Sequence, residues 1–508
     1  MHAPQIRVLR AGSCAGLSLM LAACTVGPEY SAPETALPGS WAALAPDGAR
    51  ADQAAPASVA TPEPANLASW WTTFDDPVLD SLIGRAVRAN PDLRGAQARV
   101  REARARWGVV AADLFPSVDV GASYSRDRPS GSVDAPVGAG PATETDLYRA
   151  GFDAAWEIDV FGGVRRGIEA ADADVSASVE DRRDVLVSLL AEVAQRYVEL
   201  RGLQRRIEIA RANLQAQRET LAMTSARFDA GLVGDLDVAR AEAQVRSTQA
   251  EIPALESGAR QSIHALSVLL AQPPAALLEE LAPAQALPSP PARVPVGLPS
   301  DLLRRRPDIR RAERRLAGAT ARIGVAAADL FPRFTLTGAW GVQSSEIGGL
   351  ADAESLFWSF GPGVSWRALD FGRIRSNIEV QNAQEEQALA AYEQSVLTGL
   401  REVEDALVAF EREQARRQAL SGAVEADRRA AGLARNLYEQ GLSDFLSVLQ
   451  AERDLFASED ALVQSELAVS TNLVRLYKSL GGGWEIEAES GPRKEEETYG
   501  LVARPPRD

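Results

Sequence analysis

Side chains that commonly act as nucleophiles or metal ligands are scarce in this sequence of 508 residues. It contains two histidines, His2 and His264, and two cysteines, Cys14 and Cys24. No HExxH, CxxC or GxxxxGKS/T motif occurs, and there is no Gly-x-Ser-x-Gly elbow. A single histidine such as His264 on a helical stretch is most simply structural. We therefore expect no catalytic residue, no metal site and no cofactor, and the chain is not predicted to be an enzyme.

Cys24 is the one side chain whose neighbours indicate a covalent reaction. Arg7 and Arg10 precede an apolar stretch over residues 11–23, which suits a signal peptide and is too short to span a membrane. The tetrapeptide LAAC that ends at Cys24 resembles a bacterial lipobox, in which the cysteine becomes the acylated first residue. The alternative is an ordinary secretory signal with a small-residue cleavage site. We predict a signal peptide over residues 1–23 and a lipid anchor at Cys24.

The overall charge limits the partners that the chain could bind. The formal net charge is −16, whereas binding to nucleic acid requires a basic face that neutralises phosphates. Nucleic acid is therefore not an expected partner. Beyond residue 23 the sequence has no uncharged apolar run of about eighteen residues, so no membrane-spanning helix is expected in the mature chain.

The hexapeptide AADLFP occurs twice, at residues 111–116 and 327–332. When residues 90–116 are aligned with residues 306–332, 16 of 27 positions are identical, which indicates an internal duplication. The offset is 216 at the hexapeptide and 210 further on, where Trp156 corresponds to Trp366. The predicted organisation is a signal peptide (1–23), a lipid-anchored extended segment (24–66), a first repeat (67–272), a Pro-rich linker (273–299), a second repeat (300–484) and a charged tail (485–508).

Two stretches in each repeat alternate between apolar and polar residues and are predicted to be strands. They cover residues 118–125, 152–160, 334–343 and 360–367. Each is about ten residues long, which is enough for a tilted strand to cross a bilayer. A half-buried sheet in a soluble protein would show the same alternation. The signal peptide and the lipid anchor favour the outer membrane.

Four strands are too few to close a membrane barrel, which needs at least about eight. An open sheet edge in lipid would leave backbone groups unpaired, so several chains must share one barrel. Three chains would supply twelve strands, and two would supply eight. The polar strand faces would then line a water-filled lumen, and the candidate lumen-lining residues are Asp153, Glu157 and Asp159. These acids could equally be no more than solvated polar positions.

The long segments after the strands are predicted to be helices with a coiled-coil seam. Leu186, Leu190, Val193, Tyr197 and Leu200 follow a 4-3-4-3 spacing, and Val396, Leu400, Val403, Leu407 and Phe410 repeat it. Residues 163–229 contain no proline, and as one helix they would extend roughly 100 Å. The chain is expected to turn back after this helix at Gly231, and at Gly441 in the second repeat. A solvent-exposed structural coiled coil would explain the helices but not the attached strands.

At this level of detail the sequence resembles the TolC-like outer-membrane factor family, in its lipoprotein branch of multidrug-efflux outer-membrane proteins. The resemblance is carried by Cys24-Thr-Val-Gly-Pro-Glu-Tyr30, both hexapeptides, Trp156-Glu-Ile-Asp-Val-Phe-Gly162, Phe357-Trp-Ser-Phe-Gly-Pro-Gly363 and Leu476-Tyr-Lys-Ser-Leu-Gly-Gly-Gly-Trp484. It implies an α+β membrane protein, in which three chains share a twelve-strand outer-membrane barrel that continues as a helical periplasmic tunnel.

The resemblance also implies a function and partners. The trimer would be a passive duct that exports small molecules such as drugs, together with a periplasmic adaptor (membrane fusion protein) and an inner-membrane pump of the RND type. One alternative is the outer-membrane component of type I protein secretion. Another, from a different class, is a periplasmic adaptor lipoprotein, although an adaptor would lack duplicated halves with four strands.

In the family resembled, the tunnel closes at its periplasmic tip. Matching by position implies gate candidates Tyr438, Leu446, Ser447 and Gln450 on one hairpin and Asp237 on the other. Many relatives carry carboxylates at the positions of Ser447 and Gln450, and neither residue is acidic here, so Leu446 could instead form an apolar plug. Asp237 could link to Tyr438, or could simply place favourable charge in the first turn of its helix. A helix cap is also an alternative for Ser443.

The tips of the two hairpins are candidate contacts for the adaptor. Gly231 and Gly441 are needed for the turns themselves. The adjacent Leu232 and Leu442 are apolar residues on exposed tips, and such residues favour a partner surface.

Overall fold

The computed structural model describes residues 25–44, 58–64, 66–128, 130 and 144–485. The predicted signal peptide, Cys24 and the predicted tail beyond residue 485 lie outside the described residues. So does most of the loop between the first two long strands.

Helices make up most of the described chain. In chain order they are α1 Pro77–Ala89, α2 Pro91–Ala112, α3 Gly163–Asp229, α4 Asp235–Leu269, α5 Leu278–Leu281, α6 Leu302–Arg305, α7 Pro307–Ala328, α8 Arg373–Glu439 and α9 Phe445–Ser479. The strands are β1 Val59–Thr61, β2 Ser117–Asp127, β3 Thr145–Ile158, β4 Arg293–Pro295, β5 Arg333–Ser344 and β6 Leu356–Ser365. Within the described ranges, no helix is both long enough and apolar enough to cross a membrane.

The two halves of the chain contain the same series of elements. Each has a helix of 22 residues, two long strands, a helix of 67 residues and a helix of 35 residues. The stretch Gly163–Asp229, predicted from its lack of proline to be one helix, is one helix.

The chain forms two compact units, and each unit contains segments of both halves. The first comprises Met1–Glu34, Arg99–Ser178 and Arg311–Tyr392, and the second comprises Thr35–Ala98, Val179–Arg310 and Glu393–Asp508. The boundaries between the units fall after Glu34 and within the helices α2, α3, α7 and α8.

The first unit contains a sheet of four antiparallel strands in the order β2-β3-β5-β6. Ser117 of β2 faces Ala155 of β3, and Arg333 of β5 faces Ser365 of β6. These two pairs are related by the offsets 216 and 210 of the duplication, so the two strand hairpins have the same register. β3 and β5 join the halves, which leaves β2 and β6 at the edges of the sheet.

Both copies of AADLFP lie between a helix and a strand. α2 ends at Ala112 and α7 ends at Ala328, inside each hexapeptide, and a turn follows. The proline comes next, and β2 and β5 each begin at the residue after it. Because proline has no N–H and cannot continue a helix, the chain leaves the helix before Pro116 and Pro332.

The predicted coiled-coil seam is buried in the second unit. Its α3 members, Leu186, Leu190, Val193, Tyr197 and Leu200, each expose 0% of their surface. In α8 its buried members are Val396, Val403, Leu407 and Phe410. Leu400 is the exception and is partly exposed. Removal of each buried side chain from water contributes about 1.5–3 kcal/mol, so the seam explains why helices of this length pack in one arrangement.

Candidate gate at the hairpin tips

The two helical hairpins of the second unit end in turns of the same geometry. After α3, the Leu232 N–H donates to the Arg227 carbonyl at 2.9 Å, and the Gly231 N–H donates to the Phe228 carbonyl at 2.8 Å. After α8, Leu442 and Gly441 make the equivalent bonds at 2.9 and 3.0 Å. Gly231 and Gly441 have φ of +73° and +74°, a conformation that glycine adopts without steric cost at the end of a helix.

Tyr438 is the centre of a small core at these tips. It exposes 2% of its surface and packs with Ala241, Phe445, Val448 and Leu449. The rings of Tyr438 and Phe445 are 5.8 Å apart in an edge-to-face arrangement. This core joins the last turn of α8 to the first two turns of α4 and of α9.

Arg227, which the sequence analysis did not single out, fastens α3 to α8. Its guanidinium lies 4.5 Å from the centre of the Tyr438 ring. Its Nη1 donates to the carbonyl oxygens of Tyr438 at 2.5 Å and Glu439 at 3.4 Å. These are carbonyls of the last turn of α8, where a cation is favourable because helix carbonyls point outward there. The sequence feature that could have indicated Arg227 is its place as a basic residue in the last helical turn before Gly231.

The hypothesised link between Asp237 and Tyr438 is not formed in this structure. Asp237 lies in the first turn of α4, and its carboxylate is 3.7 Å from the guanidinium of Arg240. The Tyr438 hydroxyl is buried and makes no hydrogen bond to any described residue. The side chain of Tyr438 therefore acts here through its ring, while its main-chain carbonyl takes the hydrogen bond.

The cap of α9 is Asp444, so the alternative role considered for Ser443, a helix cap, is filled by its neighbour. The Asp444 carboxylate accepts hydrogen bonds from the Ser447 N–H at 3.0 Å and the Ser447 hydroxyl at 2.6 Å. These bonds, the hydroxyl's first, lower the pKa of Asp444 from its ordinary value of 3.8. The Ser443 hydroxyl instead donates a long hydrogen bond of 3.4 Å to the Asp444 carbonyl.

The remaining gate candidates lie along α9. Gln450 donates to the Asp454 carboxylate at 2.8 Å, so Ser447 and Gln450, although neutral, are each bonded to a carboxylate within about one turn. Leu446 is 50% exposed. This part of α9 therefore presents both acidic groups and an apolar side chain, although the acids stand at other positions than those the resemblance implied.

A second polar connection between the hairpins lies further from the tip. Nη2 of Arg435 on α8 donates to the Thr220 hydroxyl of α3 at 2.9 Å and to the Glu452 carboxylate of α9 at 3.1 Å. Thr220 itself donates to Glu452 at 2.8 Å. One arginine thus holds three helices together, and its partners are too far apart in sequence for spacing to have shown the contact.

The tip leucines are among the more exposed apolar residues of the second unit. Leu232 is 66% exposed and Leu442 is 71% exposed. Leu236, at 61%, belongs to the same group and was missed. A single exposed leucine is ordinary, but three exposed leucines at or next to the two turns are the kind of apolar residues that favour a partner surface.

Two of the three candidate lumen acids lie on strand β3 of the first unit. Asp153 is directly opposite Asp119 of β2, and its carboxylate is 3.8 Å from the Arg149 guanidinium. Glu157 is 3.7 Å from the Arg333 guanidinium of β5. Each carboxylate thus lies near an arginine, which is on the same strand for Asp153 and on the adjacent strand β5 for Glu157.

Asp159 is not a strand residue, and its assignment to the lumen-facing set is corrected. β3 ends at Ile158, and the Asp159 carboxylate accepts hydrogen bonds from the N–H groups of Val164 and Arg165 at 3.2 and 2.9 Å. Its side chain is only 11% exposed. Asp159 therefore satisfies the free N–H groups at the start of α3.

The described residues contain no group of three or more His, Cys, Asp or Glu side chains arranged as metal ligands. The described residues instead form two helical hairpins joined by arginine contacts, and a sheet in which the edge strands β2 and β6 have no further partner strand among those residues.

Comparisons with known proteins agree with this arrangement. The profile of the family described as outer membrane efflux protein matches residues 82–272 and 298–482, one segment in each half. Among solved structures, the outer-membrane channel OprN superposes with a TM-score of 0.83 at 39% identity, covering 91% of this chain and 100% of that one.

Curated relatives are similar over nearly their whole length. The toluene efflux pump outer membrane protein TtgI of Pseudomonas putida is 34% identical over 468 residues, which cover 92% of this chain and 97% of TtgI. Nodulation protein T of Rhizobium leguminosarum bv. trifolii is 32% identical over 478 residues, which cover 93% and 97%. The chain therefore belongs to the outer membrane efflux protein family.

Proposed function

We propose that this protein is the outer-membrane duct of a tripartite efflux system and passively exports small molecules. The observation that carries the proposal is the family match over both halves of the chain. The name of TtgI, a toluene efflux pump component, favours small apolar compounds over secreted proteins. Energy would come from an inner-membrane pump of the RND type, connected through a periplasmic adaptor. Membership of this family speaks against the alternative that the chain is itself an adaptor.

A homotrimer with a shared barrel is supported by the free edges of the sheet. β2 and β6 pair with no further strand among the described residues. In a bilayer each unpaired backbone group would cost several kcal/mol, because lipid offers no hydrogen-bond partner. Copies of the chain can pair these edges, and three copies give the twelve strands that the family resemblance implies. Asp153 and Glu157 would then face the lumen.

A lipid anchor at Cys24 is supported by the residues that follow it. Val26 donates its N–H to the Phe161 carbonyl at 3.1 Å. The buried Arg166 guanidinium donates to the carbonyls of Val26 and Gly27 at 3.2 and 3.4 Å. Phe161 lies three residues after the end of strand β3. The chain after Cys24 is thus held beside the end of a proposed membrane strand, where acyl chains could enter the adjoining leaflet.

The hairpin tips are proposed to form the gate. In the closed state Arg227 would hold the end of α8 against α3. Arg435 would hold α8 and α9 against α3 at a point further from the hairpin tip. Opening requires α8 and α9 to move away from α3, which breaks these arginine contacts together. The exposed leucines Leu232 and Leu442 would contact the adaptor, whose binding could supply the free energy for this movement.

Export is tested by complementation in a host that lacks its own outer-membrane duct, with the cognate adaptor and pump co-expressed. The expected result is a higher minimum inhibitory concentration of toluene-like solvents and hydrophobic antibiotics. As a control, the same plasmid without the pump should give no protection. Unchanged susceptibility alongside export of a protein substrate would overturn the proposal and favour type I secretion.

A further inference from the structure

The stack between Phe161 and Phe331 marks the place where the two halves of the chain meet. Phe161 follows β3 and Phe331 precedes β5, and these are the strands that join the halves. Their rings are 4.5 Å apart with an interplanar angle of 22°. The stack therefore supports the strand pairing from the side where the sheet gives way to helices.

The duplicated counterparts of these two phenylalanines have no such contact within the described part of the chain. Phe371 corresponds to Phe161 at the offset of 210, and Phe115 corresponds to Phe331 at the offset of 216. Phe371 is 92% exposed and Phe115 is 57% exposed. Among the described residues neither ring stacks on another. Phe371 also has a φ of 54°, a left-handed conformation that is sterically unfavourable for a residue other than glycine.

The free strand edges lie next to these free rings. Phe371 comes shortly after β6, and Phe115 comes shortly before β2. Each edge of the sheet thus carries one half of the contact that is complete between β3 and β5. Phe371 has a strained backbone and an exposed ring close to the unpaired strand β6. A second protein chain that covers the ring would explain this arrangement better than the isolated chain does.

We propose that Phe371 stacks on the partner's Phe115, and that β6 pairs antiparallel with the partner's β2 in the register set by the duplication. Within the chain, Ala155 of β3 faces Thr337 of β5. Adding 210 to the first number and subtracting 216 from the second places Ser365 opposite the partner's Gly121. The partner chain required here belongs to the homotrimer proposed above. This inference therefore rests on that proposal and adds a strand register and an aromatic contact to it.

One glycine pair of the sheet is not repeated at the proposed contact between chains, and its loss affects the spacing of the strands. Gly151 and Gly341 face each other, and a β-carbon on Gly341 would lie 2.7 Å from the Gly151 Cα. Their counterparts are Gly361, which has open space around it, and Ser125. Because Ser125 carries a β-carbon, β6 and the partner's β2 must stand further apart there than β3 and β5 do.

Disulfide cross-linking tests the register. Gly121 and Ser365 are suitable positions, because Ser365 is exposed and a β-carbon on Gly121 would meet nothing within 4 Å. After oxidation, the double variant with Gly121→Cys and Ser365→Cys should run as linked dimers and trimers on non-reducing gels. Each single variant should remain unlinked, and the shifted pair Ser123→Cys with Ser365→Cys should link several-fold less.

The outcomes separate the register from the trimer itself. Stronger linking of the shifted pair, or no linking of either pair in a species that light scattering identifies as a trimer, would overturn the proposed register. A monomer by light scattering would overturn the proposed trimer instead.

A double-mutant cycle tests the aromatic contact. Phe371→Ala and Phe115→Ala should each raise the dissociation of the detergent-solubilised trimer by about threefold to tenfold per contact. Because both remove the same stack, the double variant should be little worse than either single variant. Independent effects that multiply in the double variant would show that the two rings do not touch.

Discussion

The indole N–H of Trp156 donates a hydrogen bond to the carbonyl oxygen of Leu114 at 2.9 Å. The same bond occurs in the second half, where Trp366 donates to Leu330 at 3.1 Å. Each tryptophan stands at the end of the second strand of its hairpin, and each leucine lies in the hexapeptide that precedes the first strand. The duplicated hexapeptide therefore has a structural role, because its turn exposes a carbonyl that the hairpin's own tryptophan satisfies.

Replacement of Trp156 by phenylalanine should lower stability by about 1 kcal/mol, because the ring remains and one hydrogen bond is lost. The measurement is the temperature at which the trimer dissociates in detergent. Trp366→Phe should have a similar effect. Trp340→Phe is the control, since Trp340 lies on the inner strand β5, is 54% exposed and makes no comparable bond among the described residues. Equal effects of all three substitutions would contradict this account.

Replacement of Arg227 by alanine should open the proposed gate. The substitution removes a charged hydrogen bond to the Tyr438 carbonyl and a cation–π contact, together about 2–4 kcal/mol per chain. We expect a higher single-channel conductance in planar bilayers, and an intermediate value for Arg227→Lys. Arg240→Ala should leave the conductance unchanged, because its ion pair with Asp237 is long and solvent-accessible. Equal conductance of the Arg227→Ala variant and the wild type would rule out this gate contact.

Removal of the Tyr438 hydroxyl should leave the gate closed. This hydroxyl is buried and has no hydrogen-bond partner among the residues that the structure describes. Tyr438→Phe should therefore relieve an unpaired polar group and stabilise the tip by up to about 1 kcal/mol. Conductance should therefore match the wild type. If it rises, the hydroxyl must have a partner in the closed trimer, and a rise with Asp237→Ala as well would identify that partner.

Asp444 should make the hairpin tip sensitive to acid. Its pKa in the folded state is lowered below 3.8 by Ser447, so its contribution is fully present above the unfolded-state pKa. The contribution is lost as the pH falls through the lowered folded-state pKa. Asp444→Ala should therefore melt below the wild type at pH 6, and the gap should close as the pH falls below 3.8. A gap that stays constant over this range would show that the charge of Asp444 is not involved.

The lipid anchor can be tested by metabolic labelling. Replacement of Cys24 by serine should abolish incorporation of a radioactive fatty acid, because a hydroxyl does not replace the thiol in this modification. Arg166→Leu should keep the label, since Arg166 bonds to the carbonyls of Val26 and Gly27 in the folded chain and is not part of the sequence that precedes Cys24. Label that persists in the Cys24→Ser variant would refute the anchor.

Local patterns in the sequence were enough to predict much of the fold. Period-two alternation located the strands, and the 4-3-4-3 spacing identified buried seam positions such as Leu186 and Val403. These signals are strong because they report which side of an element meets the core. Asp159 was assigned wrongly because the alternation continues past the end of β3, and only the path of the chain shows that its carboxylate caps α3.

The contacts at the candidate gate depend on the packing of distant segments. Arg227 and Tyr438 are 211 positions apart, and no periodic pattern connects an arginine to a main-chain carbonyl at that separation. Matching to the family identified Tyr438 and suggested a link from its side chain to Asp237. In the structure the ring and the main-chain carbonyl of Tyr438 contact Arg227 instead. Asp444 was missed as a cap because Ser443, one residue earlier, satisfies the same sequence rule.

The free edges β2 and β6 have a consequence for biogenesis. If three chains must close one barrel, a single chain has no stable membrane-inserted form, and insertion has to accompany assembly. At low expression, the amount of trimer in the membrane should then rise more steeply than in proportion to the amount of chain that is made. A chain that is defective only in β6 still offers an intact β2, so it can enter a ring that it cannot close. Such an allele would be dominant over the wild-type copy in the same cell.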